Sequence, residues 1–232
     1  MRRLIAAAGA LLAVVAPAQA AERRWPIGSV ERLRVEAPVA VRVTTGAGTG
    51  VTATASDRAM LDALDVSASG GTLVIRWSAA RRGRPATVAD RLVVTVATPR
   101  LTGAALYAAA PVTVSAMRGD RVIISNAGAG TLDVARIDAT ELAATLAGEG
   151  TVTLAGRATS VRLVANGPAV LDAQALSADR LNVQASGDAV VRAAARFQAE
   201  VIATQAAQVD VAGRPQCAVR AATGSAVRCG AR

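Results

Sequence analysis

The chain has 232 residues, of which 52% are hydrophobic but only 2% aromatic, so its interior must be built from aliphatic side chains. The 26 basic residues are all arginine and outnumber the 17 acidic ones, giving a formal net charge of +9, and the absence of histidine excludes zinc binding or general-base catalysis by imidazole. Most arginines stand singly without an aromatic stacking platform, so the charge does not indicate nucleic-acid binding.

Residues 1–20 are typical of a secretory signal peptide. Two arginines precede an apolar segment at residues 4–15, which is too short to span a membrane, and a small-residue motif favours cleavage between Ala20 and Ala21. No cysteine lies near this point, which argues against a lipid anchor, and no later apolar run reaches membrane-spanning length. We therefore expect an exported bacterial protein, periplasmic or at the cell surface, with no integral membrane segment after signal removal.

Residues 21–29 are expected to form a leader, and residues 30–100 a β-rich lead-in that caps one end of the fold. Alternating apolar residues, glycine turns and one helix-capping motif predict the elements of the lead-in. In chain order these are a strand pair over residues 30–55 with its turn at 46–50, a short helix over 58–64 after Ser56-Asp57, a hairpin of 66 and 72–77 around Gly70-Gly71, an exposed polar loop at 79–89, and a strand at 91–97.

Residues 101–230 contain a repeat of 17 to 20 residues, in which a turn of small residues separates two β-rich phrases. Such repeats indicate stacked layers that share one core, and their glycine and β-branched content excludes a helical solenoid. The sequence therefore predicts an all-β fold, a single right-handed parallel β-helix with short layers of about 19 residues, whose strands stack at about 4.8 Å. The predicted turn centres are Ala110, Gly128, Gly148, Gly167, Gly187, Ala207 and Gly224.

Three columns of apolar residues recur at fixed distances from these turn centres and predict the inward-facing positions. The columns are Val122, Leu142, Val161, Leu181 and Val201; Ile124, Ala144, Leu163, Val183 and Ala203; and Leu132, Val152, Leu171, Val191 and Val211. The positions between them are mixed or polar, and one outward column after the turn contains Asp133, Thr153, Asp172 and Arg192. Each layer is expected to add a corner, as at Ile137, Leu176 or Phe197.

Three segments carry a resemblance to a known family: Gly71-Thr-Leu-Val-Ile-Arg76, Val93-Val-Thr-Val96 with Pro99, and the turn Ala185-Ser-Gly187-Asp188. In these segments, and in its layout over residues 30–230, the chain resembles the adhesin heads called GIN domains, which occur in bacterial exported proteins. The resemblance implies a β-helix of the pectate-lyase-like kind and an adhesion role, and it implies no catalytic residues. Most other turns depart from the repeated Ser-Gly-Ser-Gly-Asp pattern of that family.

Cys217 and Cys229 are the only cysteines of the chain. An exported protein meets an oxidising compartment, so an even pair predicts a disulfide, here a clasp near the carboxyl terminus. A loop of roughly a dozen residues closed in this way contributes about 2–3 kcal/mol to stability. The spacing is not that of a redox motif.

Acidic and aromatic residues are the remaining candidates for a site. Asp133 and Asp172 share an outward column, but with one layer between them they should lie about 9–10 Å apart, which a solvated face explains better than a catalytic pair. Glu149 and Asp188 fall at exposed turn tips, without the repeated motif that binds calcium in other coils. Trp25, Trp77 and Tyr107 could stack on a sugar ring, but we expect Trp77 to pack beneath the cap and Trp25 to lie on a mobile leader. We expect no catalytic, cofactor or metal site.

These observations favour a non-catalytic, exported β-helix that presents a polar, arginine-dotted surface to an envelope protein or a glycan. An enzyme acting on an acidic polysaccharide is a second hypothesis, and it requires a groove in which Arg84, Arg162, Arg192 and an aspartate converge. A purely structural envelope component is a third. The sequence leaves the partner and the oligomeric state open.

Overall fold

The structure, a computed structural model, describes residues 21–46, 48–78 and 92–231. The predicted signal peptide and the predicted polar loop at 79–89 lie outside these ranges, as does Arg84. Within them the chain forms seventeen strands and one short helix. The elements are β1 (Ala21–Trp25), β2 (Arg32–Val35), β3 (Ala40–Thr45), β4 (Gly50–Ala55), α1 (Arg58–Asp62), β5 (Leu64–Ser69), β6 (Thr72–Trp77), β7 (Leu92–Thr98), β8 (Gly103–Leu106), β9 (Pro111–Val114), β10 (Met117–Asn126), β11 (Thr131–Ala147), β12 (Thr151–Asn166), β13 (Val170–Ser186), β14 (Val190–Ala203), β15 (Gln208–Gly213), β16 (Gln216–Ala221) and β17 (Ala226–Ala231).

The predicted β-helix is confirmed, because equivalent strands of successive coils pair in parallel. β11 pairs with β10 and β12, β13 with β12 and β14, and β15 with β14 and β17. The long strands β11 to β14 each begin after one tight turn, bend at a corner and end at the next turn. Alternation with period two then places every second side chain in one continuous aliphatic core.

The predicted inward residues are all buried, but the partners of three of them differ from the prediction. Val201 stacks on Val183 and Ala203 on Ala185, two positions away from the predicted columns, and Val211 stacks on Ala193. A shift of two residues leaves a side chain on the same face of its strand, so all three are still buried.

The cause of this shift is the turn between β14 and β15. The pairs Ala185–Ala203 and Val190–Gln208 place Gln205 where the preceding coil has Gly187, so the turn centre is Gln205 and not Ala207. Gln205 adopts φ 61°, the left-handed conformation that Gly187 adopts with φ 75°. A turn marked by glutamine carries no small-residue signal. The first predicted centre is also displaced by two residues, because Ala110 precedes the pair Pro111–Thr131 and so corresponds to Gly130.

The parallel stack begins within the predicted lead-in and does not follow chain order there. The coil of β2 and β3 lies between a coil made by β6 and β7 and a coil made by β8 and β9, with parallel pairing on both sides. The predicted strand pair over residues 30–55 is therefore wrong, because β7 lies between β3 and β4. The hairpin of β5 and β6 is confirmed.

Antiparallel strands and the helix cover the β6–β7 end of the stack. β5 pairs with the outer edge of β6, β4 with that of β7, and α1 contacts both β4 and β5. The predicted cap of α1 is confirmed, since the Asp57 carboxylate accepts a hydrogen bond from the backbone N–H of Ala59 at 2.9 Å, and Leu61 is buried. The predicted leader is in part a strand: β1 pairs antiparallel with β4 over its whole length.

Candidate functional site

The coils present two broad outer faces. We call the A face the outward side of the strand segments that precede the tight turns, and the B face the outward side of those that follow them. The A face carries two columns in paired register, which run along the stack. They are Arg121, Glu141, Ser160, Arg180, Gln198 and Gln216, and beside them Ile123, Ala143, Arg162, Asn182, Glu200 and Ala218.

A shallow groove of about 690 Å³ crosses four coils of the A face. Arg162, Arg180, Asn182, Gln198 and Gln216 line it, together with Glu200. Of this group only Arg162 was a candidate from the sequence, because the six residues come from four successive repeats and meet only through the register of the stack.

Hydrogen bonds within the groove leave specific groups unused. The Asn182 side-chain amide donates from Nδ2 to Glu200 at 3.0 Å, but Asn182 Oδ1 is buried and accepts no hydrogen bond from the described residues. Arg162 makes one long contact, 3.5 Å from Nη2 to the Gln184 side-chain oxygen. In the part of the chain that the structure describes, neither Arg162 nor Arg180 has a carboxylate within 4.0 Å.

The B face bears the predicted outward column of Asp133, Thr153, Asp172 and Arg192, and their pairing confirms the predicted register. The column continues into Asp210 and Arg228 in the last two coils. One Asp172 carboxylate oxygen accepts a hydrogen bond from the backbone N–H of Gln174 at 3.1 Å, within its own strand. Asp133 and Asp172 are separated by the Thr153 layer, as expected.

The corner between the B and A segments is lined by ion pairs. The Arg157 guanidinium donates two hydrogen bonds to the Asp138 carboxylate of the preceding coil, from Nε at 3.0 Å and from Nη2 at 3.3 Å. This contact lowers the pKa of Asp138 and raises the pKa of Arg157. Arg196 pairs with Asp179 at 3.0 Å, and both ion pairs line a second groove, of about 680 Å³, along this corner. Among the corner residues Ile137 and Leu176 are buried, whereas Phe197 is exposed under the Arg196 guanidinium.

The groove required by the polysaccharide-enzyme hypothesis is not formed by the arginines named for it. Arg162 lies on the A face, before a tight turn, and Arg192 lies on the B face, after one, so the fold directs them to different sides of the coil. Arg84 lies outside the described residues. No group of three or more Cys, Asp or Glu side chains that could hold a metal ion occurs within residues 21–46, 48–78 and 92–231.

The aromatic residues have separate surroundings. Trp77 packs against the core, as predicted, while Trp25 also packs against it from strand β1, which corrects its expected place on a mobile leader. The Arg23 guanidinium lies over the Trp25 ring at 5.0 Å. Tyr107 is 47% exposed and lies beneath the Arg34 guanidinium.

Cys217 and Cys229 form the predicted disulfide, with 6.2 Å between their α-carbons. Cys217 stacks on the buried Ala199 and Cys229 on the buried Val211. The bond therefore crosses the interior of the last coil and joins β16 to β17 where earlier coils have only aliphatic side chains. No helix in the described part of the chain has the length and apolar character needed to cross a membrane.

The fold is similar to several solved structures. A "putative adhesin" from Bacteroides fragilis NCTC 9343 is 16% identical, with a TM-score of 0.81 over 90% of this chain and 94% of that chain. A "putative adhesin" from Parabacteroides distasonis ATCC 8503 is 11% identical, with a TM-score of 0.71 over 90% and 97%. A "putative lipid binding protein" from the same organism is 14% identical, with a TM-score of 0.68 over 91% and 98%. At these identities the likeness shows the fold.

A search of curated proteins found no match. The sequence profile of one family matches residues 30–215, which is most of the chain and ends before β16, β17 and both cysteines. On the strength of this match and the shared fold, the chain belongs to the family described as "Putative auto-transporter adhesin, head GIN domain".

Proposed function

We propose that the protein is an exported, non-catalytic binding domain of the adhesin type, whose A face holds an extended glycan that carries hydroxyl and carboxylate groups. The observation that carries this proposal is the groove in which guanidinium and amide groups recur from coil to coil. Each coil adds about 4.8 Å along the stack, so a ligand lying along the groove meets a new set of donors at every step.

The unused groups of the groove suit such a ligand. Arg162 and Arg180 present planar guanidinium groups, which bind a carboxylate through two parallel hydrogen bonds. Gln198 and Gln216 add amide donors and acceptors on the following coils.

Export is supported by the sequence and by the disulfide. Residues 1–20 have the pattern of a signal peptide, and the Cys217–Cys229 bond persists in oxidising compartments outside the cytoplasm. Family membership supports an adhesin-type role, and the polar groove supplies a surface for it.

A glycan array that includes uronate-containing polysaccharides, run beside a pull-down from envelope extract, tests the proposal. The double variant Arg162→Gln, Arg180→Gln should weaken glycan binding by about 100-fold or more, since each charged hydrogen bond is worth about 1.5–3 kcal/mol and two are lost. The matched control is Arg42→Gln with Arg192→Gln. Both arginines belong to the B-face column, since Arg42 pairs with Thr113 and Thr113 with Asp133, and this variant should bind as the wild type does. Binding that survives the A-face double variant would refute the groove, and release of shortened oligosaccharides would establish an enzyme instead.

A further inference from the structure

The last coil of the stack has one unpaired side. β16 pairs with β14 and β17 pairs with β15, and in the described ranges no strand lies on the other edge of either. The opposite end differs, because β4 and β5 pair with the outer edges of β7 and β6 there. Among the described residues, antiparallel strands therefore cover one end of the core and no strand covers the other, which we call the open end.

The open end exposes apolar surface that earlier coils bury. Val219 stacks on Val201, yet Val219 is 44% exposed whereas Val201 is completely buried. The Cys217–Cys229 disulfide crosses the same layer, and Val227 packs beside it. Together these side chains form an apolar surface at this end of the core, which only a further layer would cover.

The backbone of this coil offers unused hydrogen-bonding groups to such a layer. The N–H of Ala222 donates to Ala203 and the N–H of Ala226 donates to Ala207, both at 2.9 Å and both toward the preceding coil. Because peptide groups alternate in direction along a strand, the N–H and C=O groups of Val219 and Val227 point away from the stack. Exposed strand edges of this kind accept an additional strand.

The charges around the open end favour an added strand that is acidic. Residues 211–231 contain Arg214, Arg220 and Arg228 but no acidic residue. Arg220 lies 3.8 Å from Glu200 of the coil below, while Arg214 and Arg228 have no carboxylate within 4.0 Å in the part of the chain that the structure describes. A second copy docked end to end would bring two sets of these arginines together, so like-charge repulsion disfavours it. An acidic segment would be attracted.

We propose that the last coil is a docking site for an extended, acidic segment of a partner protein, which adds a strand to the open edges of β16 and β17. The site adjoins the end of the A-face groove at β16, but it uses the outer backbone edges of β16 and β17 rather than the Arg162 and Arg180 side chains, and it does not depend on a glycan ligand. It also lies beyond residues 30–215, the part of the chain that the family profile matches.

A designed peptide of alternating glutamate and valine, seven residues long and fluorescently labelled, serves as the probe, and a peptide with lysine in place of glutamate serves as its control. We expect the acidic peptide to bind the full chain by fluorescence anisotropy and to slow amide hydrogen exchange at Val219 and Val227. The lysine peptide should bind at least tenfold more weakly. No binding of the acidic peptide, or equal binding of both, would overturn the proposal.

Two variants test the geometry. Val219→Pro removes an N–H that points away from β14 and has no pairing strand among the described residues, so the coil should remain intact while peptide affinity falls at least tenfold. Arg220→Glu with Arg228→Glu should reverse the preference toward the lysine peptide. Amide exchange at Val201 in the coil below reports that each variant is folded. Unchanged peptide binding by a folded Val219→Pro variant would refute strand addition.

Two further measurements separate this site from other surfaces. The Arg162→Gln, Arg180→Gln variant should bind the acidic peptide as the wild type does, so failure of the glycan proposal leaves this one standing, and the converse also holds. Loss of peptide binding in that variant would instead place the peptide on the A face. Sedimentation velocity showing a dimer that Val219→Pro dissociates would assign the open end to a second copy and overturn the proposal.

Discussion

Gly156 lies directly against the backbone of Ile137 in the preceding coil. A β-carbon added at Gly156 would stand 2.2 Å from the carbonyl oxygen of Ile137, and Gly156 has φ 125°, which side chains rarely tolerate. The pair marks the corner where β12 follows β11, and Gly156 fits there because it brings no side chain between the layers.

Gly156→Ala should therefore destabilise the protein by about 3 kcal/mol or more, since backbone strain and overpacking act together. Urea unfolding measures the change. Gly71→Ala is the matched control, because Gly71 also has positive φ, 73°, but open space around it. It should cost only about 1 kcal/mol. Equal costs at the two sites would show that contact with Ile137 is unimportant.

Gln205→Gly should stabilise the protein by about 0.5–1 kcal/mol, because Gln205 holds the left-handed conformation at φ 61° that glycine adopts without steric cost. The neighbouring Thr204→Gly has no such conformation to relieve and should destabilise by about 0.5–1 kcal/mol. Denaturant midpoints of the two variants are compared. A loss of stability for Gln205→Gly would contradict the assigned turn.

Leu163→Asp should prevent folding, because Leu163 is completely buried and an unpaired carboxylate would enter the aliphatic layers. Arg162→Asp, at the exposed outward position beside it, should fold normally. Far-ultraviolet circular dichroism distinguishes the two. A folded Leu163→Asp variant would be incompatible with the inward column.

Replacing Cys217 and Cys229 together with serine should loosen the last coil first. The closed loop of roughly a dozen residues contributes about 2–3 kcal/mol, and in the described part of the chain this coil has a neighbour on one side only. Hydrogen exchange should accelerate in β16 and β17 while the amides of β12 remain protected. Uniform acceleration throughout the stack would show that the bond stabilises the whole fold.

The Asp138–Arg157 pair makes stability depend on acid pH. Hydrogen bonding to Arg157 lowers the pKa of Asp138 in the folded protein. The pair therefore stabilises the folded protein fully above the pKa of Asp138 in the unfolded chain, near 3.8, and this stabilisation is lost as the pH falls through the lower pKa of the folded protein. In Arg157→Gln, the pKa of Asp138 should rise toward 3.8 when carboxyl carbon resonances are followed by NMR. Arg196→Gln, beside Asp179, should leave the pKa of Asp138 unchanged.

The repeat predicts much of this fold because burial follows a period of two that the sequence displays openly. Val161 and Leu163 identify the inside of their coil without any knowledge of neighbours. The register between coils is harder to predict, since it depends on the position of each turn. The turn at Gln205 could not be recognised, because glutamine has no turn preference. The sequence of β2 does not indicate that this strand lies between β6 and β8, because any parallel aliphatic strand could occupy that position.

The candidate site was predictable only in outline. A polar outer surface follows from alternation, but the meeting of Arg180 and Asn182 with Gln198 requires knowledge of which residues pair between two successive repeats. The disulfide was predictable because an exported chain with only two cysteines can form only one intramolecular pair in an oxidising compartment. Its position across the core followed from the strand register, which the sequence did not show.

The position of the β2–β3 coil has a consequence for the order of folding. Both of its neighbours come from later in the chain, so residues 32–45 have no parallel partners until residues 72–114 are available. The first three coils must therefore assemble together, at the entropic cost of closing long loops, and form the slow step. Every later coil pairs with a coil that precedes it in the chain, so the rest of the stack can fold by sequential addition of coils toward the carboxyl terminus.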